Sequence, residues 1–100
     1  MQERERRSGV RVPINCEAVI VPAAPQTRRP AICIDLGVGG MTLHTQYVPR
    51  PDEIFDVLVK PPQSPLESPM MHARVQVRRC QAIPGSSKFM LGVKIIEIVR

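Results

Sequence analysis

Met71-His72-Ala73-Arg74-Val75-Gln76-Val77 alternates between apolar and polar side chains without a break. Met71, Ala73, Val75 and Val77 fall on one face, and His72, Arg74 and Gln76 on the other. A period of two marks a strand with one face against a core and the other in water. The same reading extends along the rest of the chain. Residues 89–98 put Phe89, Leu91, Val93 and Ile95 on one face and read as the last strand. Upstream, residues 16–21 (CEAVIV), 31–36 (AICIDL), 41–45 (MTLHT) and 54–60 (IFDVLVK) are rich in β-branched and apolar residues or alternate.

Eleven prolines separate these runs and cluster in connectors at 22–30, 49–51 and 61–69. Proline breaks helices and ends strands. The 61–69 stretch reads as an extended surface loop of polyproline character, a plain connector rather than a docking motif. No segment shows a helical period, and no internal repeat or domain boundary is visible. Six short strands joined by loops imply a small all-β domain, an antiparallel barrel or sandwich.

One hundred residues make one domain with a modest core. No apolar run approaches the roughly 20 residues that span a bilayer. The charged start of the chain leads into no apolar segment, so a secretory signal is not expected and the chain reads as cytoplasmic. The net charge of +5 favours an anionic partner, although surplus Arg and Lys also solubilise. Cys16, Cys33 and Cys80 are odd in number and form no CxxC pair, so they are expected as buried, reduced thiols. A zinc site would need more ligands at closer spacing.

Catalytic patterns are missing from the sequence. His44 and His72 are the only histidines, and no Ser–His–Asp, Cys–His or phosphate-loop arrangement is present. The adjacent acids Asp52 and Glu53 read as a solvated turn. The chain is therefore not read as an enzyme. Arg74, Arg78 and Arg79 form a second basic cluster, in which parity puts Arg74 and Arg78 on one face and Arg79 on the other.

Two short patterns remain. In Arg7-Ser8-Gly9-Val10-Arg11, two arginines stand four apart, with Arg6 directly before them. Gly9, the β-branched Val10 and Val12, and Pro13 argue against a helix there. Residues 1–11 are expected as a mobile basic arm and 12–100 as the barrel domain. In Asp35-Leu36-Gly37-Val38-Gly39-Gly40, the glycines permit positive φ and a tight reversal between strands. Asp35 is suited to capping that turn through its own backbone.

Together, in this order, these patterns resemble RxxxR and (D/N)xSxxG, the signatures of the PilZ family, whose members bind the bacterial second messenger cyclic diguanylate. Arg7 and Arg11 match the first pattern. Asp35 and Gly40 match the second, with Gly37 where the family has serine. The resemblance implies a six-stranded barrel of Greek-key character. Arg100 follows the last strand so closely that little or no C-terminal helix is expected. The resemblance also implies a ligand site at Arg6, Arg7, Arg11, Asp35, Gly37 and Gly40, with no cofactor or metal. Arg6 resembles the extra arginine associated with a stacked ligand dimer.

The chemistry suits that ligand. Guanidinium forks onto guanine O6 and N7, pairs with phosphate and stacks on purines. A carboxylate at Asp35 accepts from guanine N1–H and N2–H. Losing the serine hydroxyl costs about 0.5–1.5 kcal/mol, a roughly 2- to 12-fold weakening. The function read from this is capture of cyclic diguanylate and relay to a downstream effector protein by ordering of the arginine arm. The alternative is a ligand-independent interaction module of the same family. A nucleic-acid-binding barrel ranks last, because Tyr47, Phe55 and Phe89 form no clustered stacking pattern.

Overall fold

Alternation along the sequence becomes six strands: β1 (Arg11–Pro22), β2 (Arg29–Gly37), β3 (Gly40–Thr45), β4 (Ile54–Val59), β5 (Met71–Ala82) and β6 (Phe89–Ile98). The computed structural model describes residues 10–23, 27–60 and 71–99. The strands close into a barrel in the order β1-β2-β3-β6-β5-β4, with antiparallel pairing throughout. The strands β1 to β3 form a meander, and β4 returns to lie beside β1. That 4-1-2-3 arrangement is a Greek key. A second meander, β4 to β6, closes onto β3, so each strand has a neighbour on both sides.

The inward positions fill the barrel. Ile20, Met41, Leu43, Phe55, Val57, Val75 and Leu91 are fully buried. Burying an aliphatic or aromatic side chain of this size stabilises the fold by about 1.5–3 kcal/mol. Phe89 and Ile95 are partly buried and pack against this core, completing the face expected for β6. In β5, Ala73, Val75 and Val77 point inward, while Arg74 is exposed and His72 and Gln76 are half-buried, as the alternation requires.

Two strands run well beyond the apolar runs that announced them. The first, β1, begins at Arg11 and carries Pro13 within it. A bulge between Pro13 and Cys16 accommodates the proline, with Asn15 at φ 46°. The strand β5 runs on to Ala82, beyond the alternating stretch. Its last five residues are exposed, which corrects the expectation for Cys80: Cys16 and Cys33 are buried, but Cys80 is open to solvent. Its apolar sequence neighbours do not decide its burial, because the strand has left the core by that point. Burial pushes the Cys33 thiol up to about 12, so it is protonated and inert at neutral pH.

Candidate functional site on the outer barrel wall

Arg11 is the first residue of β1 and pairs with Gly37 at the end of β2. Its Nη1 donates to Asp35 Oδ1 at 3.0 Å and to Thr42 Oγ1 at 3.3 Å. One guanidinium therefore spans three strands. A bulge in β2 between Cys33 and Asp35 re-aims the strand, so that Cys33 points into the core and Asp35 pairs outward with Thr42. The Arg11 and Asp35 side chains keep 39% and 26% of their surface exposed. A pair that open contributes only about 0.2–1 kcal/mol. Its consequence is orientation: Arg11 is held flat on the wall with donors left over.

Two glycines make room for that arrangement. A β-carbon at Gly37 would stand 2.7 Å from the Val10 carbonyl oxygen and 3.0 Å from Arg11 Cδ. A β-carbon at Gly40 would stand 2.5 Å from the Val93 carbonyl oxygen and 3.0 Å from Arg11 Nη2. Both positions require glycine because backbone and Arg11 pass directly over them. The expectation of positive φ is corrected here. Among the described residues, Gly85 is the glycine in the left-handed region, and Gly37, Gly39 and Gly40 are not. Close approach, not turn geometry, selects glycine at 37 and 40.

Of the residues expected at the site, the fold brings Arg11, Asp35, Gly37 and Gly40 together. Arg6 and Arg7 lie outside the described residues. The side chain of Asp35 bonds to Arg11 rather than to its own turn. Sequence reasoning missed Thr42, although the alternation over 41–45 does place it outward between the buried Met41 and Leu43. It also set aside Arg79. Strict alternation from Val77 would aim Arg79 inward, but a bulge between Val77 and Arg79 resets the parity. Arg79 pairs with Gly92 and lies over its outer face.

Other polar groups are engaged elsewhere on the wall. Asp56 binds His72 Nε2 at 2.7 Å and Arg74 Nε at 3.0 Å, and Arg74 Nη1 reaches Glu97 at 3.4 Å. Burial alone would raise the Asp56 pKa, but the hydrogen bonds from Arg74 and His72 bring it below its ordinary value. Tyr47 donates to Glu53 at 2.6 Å, and Arg50 N also donates to Glu53, so the expected solvated turn holds one engaged acid. Burial and the Glu53 bond push the Tyr47 phenol up to about 12. The Tyr47 ring lies beneath the Arg29 guanidinium and meets buried Phe55 edge-on. Among the described residues, no helix is long and apolar enough to cross a membrane. No cluster of potential metal ligands occurs among them.

The family model of the PilZ domain matches residues 5–99. Among solved structures, the Bacillus subtilis inhibitor of motility, MotI/DgrA, shares the fold with a TM-score of 0.78 at 19% identity. That alignment covers 99% of this chain and 46% of that one, so this chain spans about half the length of its neighbour. No curated protein matches. Neither of these likenesses indicates a catalytic family.

Proposed function

Because the chain belongs to the PilZ domain family, we propose that its outer wall at Arg11, Asp35 and Thr42 binds cyclic diguanylate and passes the signal to an effector protein. The observation that carries this reading is Arg11 fixed over Gly40 between Asp35 and Thr42. A guanidinium so held presents its remaining donors to a phosphate or a purine edge without first losing rotamer freedom. Asp35 supplies the acceptor that a guanine N1–H and N2–H edge needs. The residues before Val10, with Arg6 and Arg7, would close over the ligand and so change the surface offered to the effector. A ligand with two guanines and two phosphates engages several such arginines at once. The structural neighbour is an inhibitor of motility, which makes motility the first output to examine.

Calorimetric titration with cyclic diguanylate tests this. The wild-type protein binds at micromolar concentration or tighter, and Arg7→Ala/Arg11→Ala loses at least tenfold. Equal affinity in the double variant contradicts the mechanism.

One observation favours a second reading, an interaction module that works without ligand. Asp35 and Thr42 already anchor Arg11, and Gly37 lets Val10 pack against the end of β2, so the wall is braced without a ligand. A folded wild-type protein that gives no heat with excess ligand would select this reading.

A further inference from the structure

A row of outward positions crosses four strands of the wall. Asp35 of β2 pairs with Thr42 of β3, Thr42 with Gly92 of β6, and Gly92 with Arg79 of β5. Leu91 and Val93 point into the core, so Gly92 faces outward between them. Neighbouring strands lie about 4.8 Å apart, which puts the Asp35 and Arg79 backbones about 14 Å apart along the row. Arg79 does not stand away from the sheet. A β-carbon at Gly92 would meet Arg79 Nε at 3.3 Å, Nη2 at 3.5 Å and Cβ at 3.6 Å. Atoms from both ends of the side chain reach the same point, so the side chain lies flat across the glycine. Its guanidinium is laid along the wall with the opposite face toward solvent. Beyond the Asp35 end of the row, Arg11 lies with its Cδ and Nε over Gly37 and its Nη2 over Gly40, so an arginine rests on glycine there too.

We infer that Arg79, flattened on Gly92, is the stacking platform for a purine ring of the ligand whose other groups are held at Arg11 and Asp35. The inference rests on the binding reading above and assigns one more residue to that site. Guanidinium planes stack on purine faces, whereas an ammonium of equal charge has no plane to offer. Asp56 and Glu97 pair with Arg74, leaving Arg79 with no carboxylate within salt-bridge distance among the described residues. Gly92 is the floor that makes the platform flat. The bulge between Val77 and Arg79 is the device that brings Arg79 to this face.

The test is a set of calorimetric titrations with cyclic diguanylate on wild type, Arg11→Ala, Arg79→Ala, Arg79→Lys and Gly92→Ala. Thermal unfolding of each confirms that it is folded. Arg79→Ala is expected to weaken binding roughly tenfold, the loss of one stacked base. Arg79→Lys should lose nearly as much, because it keeps the charge and not the plane. Gly92→Ala should weaken binding only slightly, since its new methyl meets the guanidinium at close to ordinary contact distance and shifts it little. A wild-type level of binding in Arg79→Ala, with Arg11→Ala impaired, overturns the platform and leaves the binding reading intact. Full affinity in Arg79→Lys overturns stacking in favour of charge alone. No binding by the wild type overturns both readings.

Discussion

The carbonyl oxygen of Val10 passes so close to Gly37 that a β-carbon there would lie 2.7 Å from it. Glycine at this position is therefore more than a serine that has lost its hydroxyl. It lets the chain entering β1 sit against the end of β2. Gly37→Ser, which restores the family residue, should not restore affinity. We expect a destabilisation of about 1–3 kcal/mol, typical of overpacking, and a melting temperature lower by about 4 °C or more. Binding should weaken because Arg11 is displaced. Calorimetry and thermal unfolding of the variant check both; tighter binding with unchanged stability would show that the packing is dispensable.

Gly40 is more constrained, since a β-carbon would meet both the Val93 carbonyl oxygen at 2.5 Å and Arg11 Nη2 at 3.0 Å. Gly40→Ala should spread the pairing of β3 with β6 and cost about 2–3 kcal/mol. Urea unfolding measures this. A variant within about 0.5 kcal/mol of wild type, the usual range for featureless surface sites, would contradict it.

Thr42 accepts from Arg11 through its hydroxyl. Thr42→Val keeps the shape and removes the acceptor. Stability should change by no more than about 1 kcal/mol. Cyclic diguanylate affinity should fall about threefold, because Arg11 retains Asp35 as its anchor. Loss of all binding in this variant would mean that Thr42 touches the ligand itself.

The Asp56 cluster sets a pH dependence away from the site. Hydrogen bonds from Arg74 and His72 depress the Asp56 pKa against the opposing effect of burial. A depressed carboxylate stabilises the fold above its unfolded pKa, near 3.9, and loses that contribution as pH falls through its folded value. Wild-type stability should therefore drop below about pH 4. Asp56→Asn should be less stable than wild type at neutral pH, with the gap closing at low pH. Urea midpoints from pH 3 to pH 7 report this, and parallel curves would contradict it.

The sequence made the fold legible through parity. In β5 the alternation from Met71 to Val77 names the inward residues, and Ala73, Val75 and Val77 are buried accordingly. Parity fails where a strand bulges. The extra residue between Val77 and Arg79 has no mark in the sequence, so the outward turn of Arg79 over Gly92 could not be read. The site was half legible. Arg11, Asp35 and Gly40 stand in spaced patterns, but Thr42 enters only through register, which alternation alone does not set. Gly37 looked like a turn residue, yet its constraint comes from Val10, 27 positions earlier in the chain. Close approach between distant segments is a property of packing and leaves no local signal.

The proposed ligand lies along the row from Asp35 to Arg79, with Arg11 beside its first end. Amide NMR of the labelled wild-type protein titrated with cyclic diguanylate tests this placement most directly. Saturable shifts are expected at Arg11, Asp35, Thr42, Arg79 and Gly92, with the recess formed by Arg29, His44, Tyr47 and Lys88 left largely unchanged. Shifts confined to that recess, or a spectrum unmoved by excess ligand, would contradict it.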